Sequence, residues 1–369
     1  MSEQQLRAVR IGIALNSPGN TVIEEQYTTS PKVFSEITGS LIRHGAEIVR
    51  IEGDGLFFQR LSGLEEEVDL IFNLAEDIYQ IAVPLAVSEY HLERKQQYPA
   101  CTGAKAEGHI LALNKSLARR VLDGKLPQPQ WWRLNPGEYP PAGAVEFPVL
   151  VKPSNEGYSI GVADANVVSS TADLTRSLDR LRERLKGVML VESYLDGIEY
   201  SMGLVGNVIT PAVAWDLSGL PGKPLVRGED LKKLDLTIPH AKLVDDPSLA
   251  AAIGTQVATA HLELGLQDYS RSDFRAKGSE PVPCYIETNS MPGLVKGDSV
   301  LPWSAARAGV PYEDLIGSIV SQALKRLPES RLQELDTRGF DEAYDRMRSL
   351  ASHTISVQGR DFHLLMPRN

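Results

Sequence analysis

Cysteine is almost absent from this chain of 369 residues: only Cys101 and Cys284 occur. They are far apart and lack metal-ligand spacing, so a disulfide scaffold is not expected and a reducing cytoplasm is the simpler setting. No apolar run approaches membrane-spanning length. The opening Met-Ser-Glu-Gln-Gln-Leu-Arg runs straight into a strand without the apolar core of a signal peptide. Internal repeats and low-complexity stretches are also missing. Positive charge is in deficit, and the net charge of −10 argues against nonspecific binding to nucleic acid or to an acidic membrane. A local basic pocket for a nucleotide is still compatible with it. What is present is an ordinary globular composition, 42% hydrophobic and 23% charged, at a length that calls for two or three domains.

The order of patterns points to an α/β chain. Val9 to Leu15 reads as a buried strand. Val33, Phe34, Ile37 and Leu41 then recur at helical spacing, with Gly45 as the stop. Glu47 to Ile51 and Val68 to Leu74 are further strands, so strand–helix–strand chemistry and a parallel sheet are expected. Ligands of such sheets sit beyond the C-terminal strand ends, near 16–25 and 73–79. Gly108 to Gly124 reads as one helix, with Ile110, Leu111, Leu113, Leu117 and Val121 as its stripe. Pro148 to Lys152 reads as a strand, and Ile160 to Val162 as its returning partner. Val188 to Tyr194 and Glu199 to Val205 are strands joined at Asp196-Gly197. The long polar segment 217–236 reads as a lid. Helices are expected over 249–264, 312–327 and 341–350, the last packed against its own domain or a partner chain.

Chemistry concentrates in a few segments. In Tyr-Ser-Arg-Ser-Asp-Phe-Arg (269–275), Arg271, Asp273 and Arg275 share one strand face. In Tyr-Ile-Glu-Thr-Asn (285–289), Glu287 and Asn289 do the same. If the strands are neighbours, two carboxylates and an amide oxygen converge beside a guanidinium. Oxygen ligands of this kind suit Mg²⁺, or Mn²⁺ in its place, and the arginine suits charge developing on a phosphoryl group. Lys152 ends an apolar strand, and Ser154, Gly157, Ser159 and Gly161 follow in a turn whose amides can cradle phosphate. Glu192, Ser193, Tyr194 and Leu195 form a strand whose backbone can meet a base, and Glu199 can accept from ribose hydroxyls. Each segment alone also reads as an ordinary hairpin with solvated charges.

Taken together these segments resemble the ATP-grasp superfamily, and within it the D-alanine–D-alanine ligase-like enzymes. The resemblance spans roughly residues 70 to 325. Thr102-Gly103 with Asn114-Lys115 is similar to the entry into the central domain. Val151-Lys152-Pro153 with Glu156 to Gly161 is similar to the phosphate hairpin, Glu192 to Leu195 to the adenine hinge, and Glu199 to the ribose acid. Arg271, Asp273, Glu287, Asn289 and Pro292-Gly293 resemble the arginine, the metal ligands and the turn after them. The resemblance implies an α/β ATP-grasp fold. Residues 1–107 would form an N-terminal domain, 108–191 a central and 192–328 a C-terminal ATP-grasp part, and 329–369 an extension. It also implies a cytoplasmic ligase, as a homodimer, that uses ATP and Mg²⁺ to turn a carboxylate into an acyl phosphate for attack by an amine. Lys115, Lys152 and Ser159 would hold phosphate, with Arg271, Ser299 and Lys223 as catalytic groups. Glu76, Tyr158, Arg271, Gly293 and Ser299 would line the substrate pocket.

The substrate half departs from the family pattern. Tyr158 stands where the ligases have a serine, and the lid 219–233 has no tyrosine but offers Lys223, Arg227, Lys232 and Lys233. Asn73 to Asp77 replaces the usual loop, and one extra residue precedes Ser299. A pair of substrates other than two D-alanines is therefore expected, because buried polar groups left unpaired are costly. The alternatives are a housekeeping D-alanine–D-alanine ligase and an ATP-binding phosphotransferase or regulator that ligates nothing.

Overall fold

The computed structural model describes residues 6–15, 30–53, 56–75, 79–94, 100–141, 143–155, 161–215, 217, 226–228, 241–278 and 282–368. The strand Arg10–Leu15 is buried along nearly its whole length, as a strand covered on both faces must be. It lies between Glu47–Glu52 and Leu70–Leu74, all parallel, with Ala100–Cys101 beside the last. Helix Pro31–Arg43 starts where Ser30 accepts from the Val33 amide. It stops at Gly45, whose φ of +89° lies in the left-handed region that favours glycine. Helices Phe57–Glu67 and Tyr79–Arg94 complete this layer.

A second, antiparallel sheet runs Trp131–Leu134, Met189–Ser193, Val149–Pro153, Val167–Val168. Helix Thr171–Arg184 lays Leu174, Leu178 and Leu181 against Val149, Val151 and Val191. The return strand expected at 160–162 is not the partner of Val149–Pro153. Ile160 lies outside the described residues, Val162 is in no strand, and the pairing falls to Val167–Val168. The single helix expected over 108–124 is two, Ala106–Leu113 and Lys115–Val121. Asn114 interrupts them because its backbone is extended and its Oδ1 accepts from the Leu117 amide at 3.1 Å, capping the second helix.

The largest sheet is centred on Glu199–Val205. Tyr269–Arg275 and then Cys284–Asn289 lie to one side, and Val213–Trp215 and Ala241–Leu243 to the other. Helix Pro247–Glu263 covers one face, where Ile253 and Val257 share a core with Met202, Leu204, Phe274 and Tyr285. The tail is built into the fold. Leu335–Asp336 pairs in parallel with Arg7–Ala8. Arg360–Leu364 pairs with Val208–Ile209 and forms a hairpin with His353–Val357. The helix expected over 341–350 runs Arg338–Ser349 and packs on its own chain: Phe340, Tyr344 and Met347 join Leu315 and Ile319 of Tyr312–Leu324 in a core that includes Ile11, Ile13 and Phe72. Buried Asp69 binds Arg7 at 2.7 Å and Arg331 at 2.8 Å, tying the first strand to the tail. Among the described residues no helix is long and apolar enough to cross a membrane.

Two buried histidines make stability depend on pH. Burial pushes His109 and His261 down to about 4. Between an ordinary value near 6.5 and that level, the unfolded chain takes up protons that the native fold refuses. Stability is therefore expected to fall as pH drops from 6.5 towards 4, by at most about 1.4 kcal/mol per pH unit for each histidine. Buried Asp268, raised by burial against the pull of Arg326, works in the opposite sense and offsets part of this. Urea midpoints measured from pH 7 to 4.5 check it through variants: His109→Gln and His261→Gln should each flatten the slope. An unchanged slope in both would mean that the imidazoles already carry protons in the fold.

Candidate active site

The two strands richest in charge are neighbours. Tyr269–Arg275 and Cys284–Asn289 are antiparallel, with Arg271 opposite Asn289 and Asp273 opposite Glu287, and an irregularity follows Asp273. Because strand side chains alternate, Arg271, Asp273, Glu287 and Asn289 share one face. Ser272 and Thr288 share the other, where their hydroxyls bond at 2.8 Å. Arg271 donates to both Asp273 oxygens, Nε at 3.0 Å and Nη2 at 2.7 Å, and Asn289 Nδ2 donates to Asp273 at 3.2 Å. Glu287 lies 3.3 Å from Lys115 Nζ.

The lysines arrive from two other elements. Lys115 is the first residue of its helix, where Asn114 is the cap. Its amide donates to the Ser154 carbonyl at 2.9 Å, and Ser154 Oγ donates to Asn114 Oδ1 at 3.2 Å. Ser154 follows Lys152 by two residues, so this knot brings Lys115 and Lys152 to one cleft. Lys152 is only 3% exposed. Its Nζ lies 2.7 Å from Glu192, and Glu192 is also bonded to Arg119, which is wholly buried. Burial alone would raise the Glu192 carboxyl, but Arg119 and then Lys152 outweigh it and hold it below the usual carboxylate range. Burial also draws Lys152 below the ordinary lysine value, against the pull of Glu192.

The same cleft also has apolar wall, from Leu150, Leu195 and Ile286. The backbone there is fixed: Ser193 N–H donates to the Gln130 carbonyl at 2.8 Å and Tyr194 N–H to that of Pro148 at 3.0 Å. Arg275 stacks over the Tyr194 ring, 5.1 Å from its centroid. Glu199 pairs with Arg227 at 3.1 Å, and Arg227 stacks over Trp215 at 4.3 Å. The neighbouring Val226 amide donates to Asp164 at 3.0 Å. Gly228 lies so close to the backbone that a Cβ there would come within 2.5 Å of the Val162 carbonyl oxygen. Val226, Arg227 and Gly228 of the expected lid thus bridge the central and largest sheets over the cleft.

One cleft therefore gathers Lys115, Lys152, Glu192, Ser193, Tyr194, Leu195, Glu199, Asp273 and Glu287 of the residues singled out from sequence. Ser299 and Gly293 lie beyond the acidic strand, at the start of helix Val300–Arg307. Ser299 Oγ accepts from the Val295 amide at 3.1 Å. Glu76, Tyr158, Ser159, Lys223 and Lys232 lie outside the described residues. The sequence reading of Glu192 as a base-contacting residue leaves its carboxylate out of account; that group is committed to Lys152 and Arg119. Arg119 itself was not singled out. Its signal was the four-residue spacing from Lys115, one turn along the same helix. As for metal, the donors are oxygens on paired strand faces, a set that suits a hard cation. Among the described residues no three His, Cys, Asp or Glu side chains cluster, so two acids and an amide are the available set.

The chain matches the family model "D-ala D-ala ligase C-terminus" over residues 139–321. A D-alanine–D-alanine ligase of Oleidesulfovibrio alaskensis is 31% identical over 60% of this chain and 70% of its own length. An uncharacterized protein, y4sG, of Sinorhizobium fredii is 28% identical over 86% of this chain and 98% of its own. The fold matches the crystal structure of the D-alanine–D-alanine ligase of Bacillus anthracis complexed with ATP, with a TM-score of 0.68 and 20% identity over 86% of this chain and 98% of that one. The paired acidic strands, the two lysines of the cleft and these likenesses agree: the chain belongs to the D-alanine–D-alanine ligase family of ATP-grasp enzymes, which are ATP-dependent ligases that join a carboxylate to an amine.

Proposed function

We propose that this enzyme activates a carboxylate as an acyl phosphate and joins it to an amine, on a pair other than two D-alanines. The observation that carries the chemistry is the meeting of Lys115, Lys152, Asp273 and Glu287 in one cleft that also has apolar wall from Leu150, Leu195 and Ile286. ATP would lie along it, with its base against Leu150, Leu195 and Ile286, its ribose at Glu199 and its phosphates at Lys115 and Lys152. A substrate carboxylate oxygen attacks the γ-phosphorus and ADP leaves. The amine nitrogen then attacks the acyl carbon, phosphate departs and the nitrogen gives up a proton. The two lysines offset repulsion between the anionic reactants, and Arg271 stabilises charge that develops at the transferring group. A Mg²⁺ ion, or Mn²⁺, held by Asp273, Glu287 and Asn289 would supply further charge neutralisation at the phosphates. Ser299 and Gly293, at a helix N-terminus, would hold a substrate carboxylate, with Glu76 and Tyr158 in the same pocket. Lys223 or Lys232 would reach the γ-phosphate from the lid.

The substrate part of this reading rests on Tyr158 and the lid without tyrosine, which change the volume and the polar partners of the amino-acid pocket. The second reading, a D-alanine–D-alanine ligase of peptidoglycan synthesis, is favoured by the names of the relatives. Steady-state kinetics with D-alanine as sole substrate separates them. Poor turnover is expected, with ADP release restored by another acid–amine pair in a screen of amino acids. A kcat/KM of about 10⁴ M⁻¹s⁻¹ or more with D-alanine would overturn the first reading and establish the second.

A further inference from the structure

Away from the nucleotide cleft, a cavity of about 350 Å³ opens where the tail meets the largest sheet. Its charged and polar lining is Asn207, His261, Arg348, Arg360, Asp361 and His363. Two of these are cationic arginines, two are histidines that burial holds neutral, and one is acidic, in a protein whose net charge is −10. Among the described residues neither Arg348 nor Arg360 has a carboxylate within ion-pair distance. Arg346, two residues before Arg348, is by contrast held by Asp314 at 2.8 Å and by Glu342 at 3.5 Å. His261 is buried, and its Nδ1 is taken by Ser270 Oγ at 2.8 Å, which leaves Nε2 as the remaining polar atom of the ring. His363 uses Nδ1 on Thr354 at 3.2 Å, while its Nε2 is enclosed without a hydrogen-bond partner.

The Arg348 and Arg360 guanidiniums repel one another, and an anion between them relieves that repulsion. Guanidinium pairs match the oxygens of phosphate in a fork geometry, and neutral imidazoles add donors. We propose that this cavity is a binding site for a small phosphate-bearing anion, distinct from the ATP cleft. The volume exceeds that of phosphate itself and leaves room for an organic group. Arg348, Arg360, Asp361 and His363 lie beyond residues 139–321, so the tail supplies most of the charged and polar lining and both of its arginines.

The test follows the imidazole ¹⁵N signals of His261 and His363 in the full chain as inorganic phosphate is added at constant ionic strength, with chloride as the control. The cleft is kept saturated with a non-hydrolysable ATP analogue. Saturable shifts of both signals are expected with phosphate and not with chloride. Both arginines are exposed, so Arg348→Ala with Arg360→Ala should leave the fold and basal ligase turnover unchanged. The double variant should weaken phosphate at least about tenfold, the loss expected of a missing charge-assisted contact. Shifts that fail to saturate, that chloride reproduces, or that persist at the same affinity in the double variant would overturn the proposal.

Discussion

Glu287→Gln is expected to lower ligase turnover by about 100- to 1000-fold, the usual loss when one group that stabilises transition-state charge is removed, while the protein folds normally. Glu287 stands opposite Asp273 and 3.3 Å from Lys115. Glutamine keeps its shape and one acceptor oxygen but removes the charge that a divalent cation needs from this strand. The Glu287 side chain is 30% exposed and glutamine fills the same space, so the fold is expected to tolerate the change although the side chain of Lys115 beside it is only 9% exposed. Binding of an ATP analogue, read by calorimetry, should persist within a few-fold, since Lys152 and the apolar residues Leu150, Leu195 and Ile286 of the cleft are untouched. ADP release at ordinary Mg²⁺ is the decisive measurement. Wild-type turnover in the variant would remove Glu287 from the metal set.

Arg119→Met should have the largest effect on stability, about 3–5 kcal/mol, the range for removing one partner of a buried ion pair. Arg119 and Glu192 are both shut off from water, and Lys152 alone would then have to balance the carboxylate. The cost comes from the stranded charge more than from the lost bond. Adding Glu192→Gln to Arg119→Met should therefore recover part of the loss, although each change alone destabilises. Urea unfolding of the two single variants and the double gives the coupling directly. Losses that simply add, or a single-variant loss below about 1 kcal/mol, would mean that the pair does not hold the site together.

The sequence is informative here where local pattern and chemistry coincide. The alternation through Arg271, Asp273 and Arg275 and through Glu287 and Asn289 needs only the strand period to put these groups on one face. Lys152 declares itself because a lysine closing an apolar run has no ordinary structural reason to be there. Arg119 is silent for the opposite reason: on a helix, an arginine one turn from a lysine is the normal dress of a solvated face, and only tertiary packing buries it. The Asn114 break is hidden because the apolar stripe continues across it, while the capping bond that decides the matter depends on one side-chain oxygen. The final hairpin left a weak trace. Ile355 and Val357 alternate, as do Phe362 and Leu364, across Gln358-Gly359, whose positive φ values of 51° and 73° give the tight turn. That pattern does not say which sheet edge the hairpin joins. The lid stayed opaque because the contacts of Arg227 with Glu199 and Trp215 depend on an approach that no local spacing encodes.

The pairing of Arg7–Ala8 with Leu335–Asp336, and of Val208–Ile209 with Arg360–Leu364, also sets an order of assembly. On the ribosome the N-terminal residues emerge long before the partners that complete them. Until residue 364 has been made, the backbone edge of Val208–Ile209 lacks the partner that Arg360–Leu364 supplies. A nascent or truncated form ending near residue 330 would hold most of the catalytic groups and still present that open edge. Such a form is expected to be less stable than the full chain, because it also loses the core contacts of Phe340, Tyr344 and Met347.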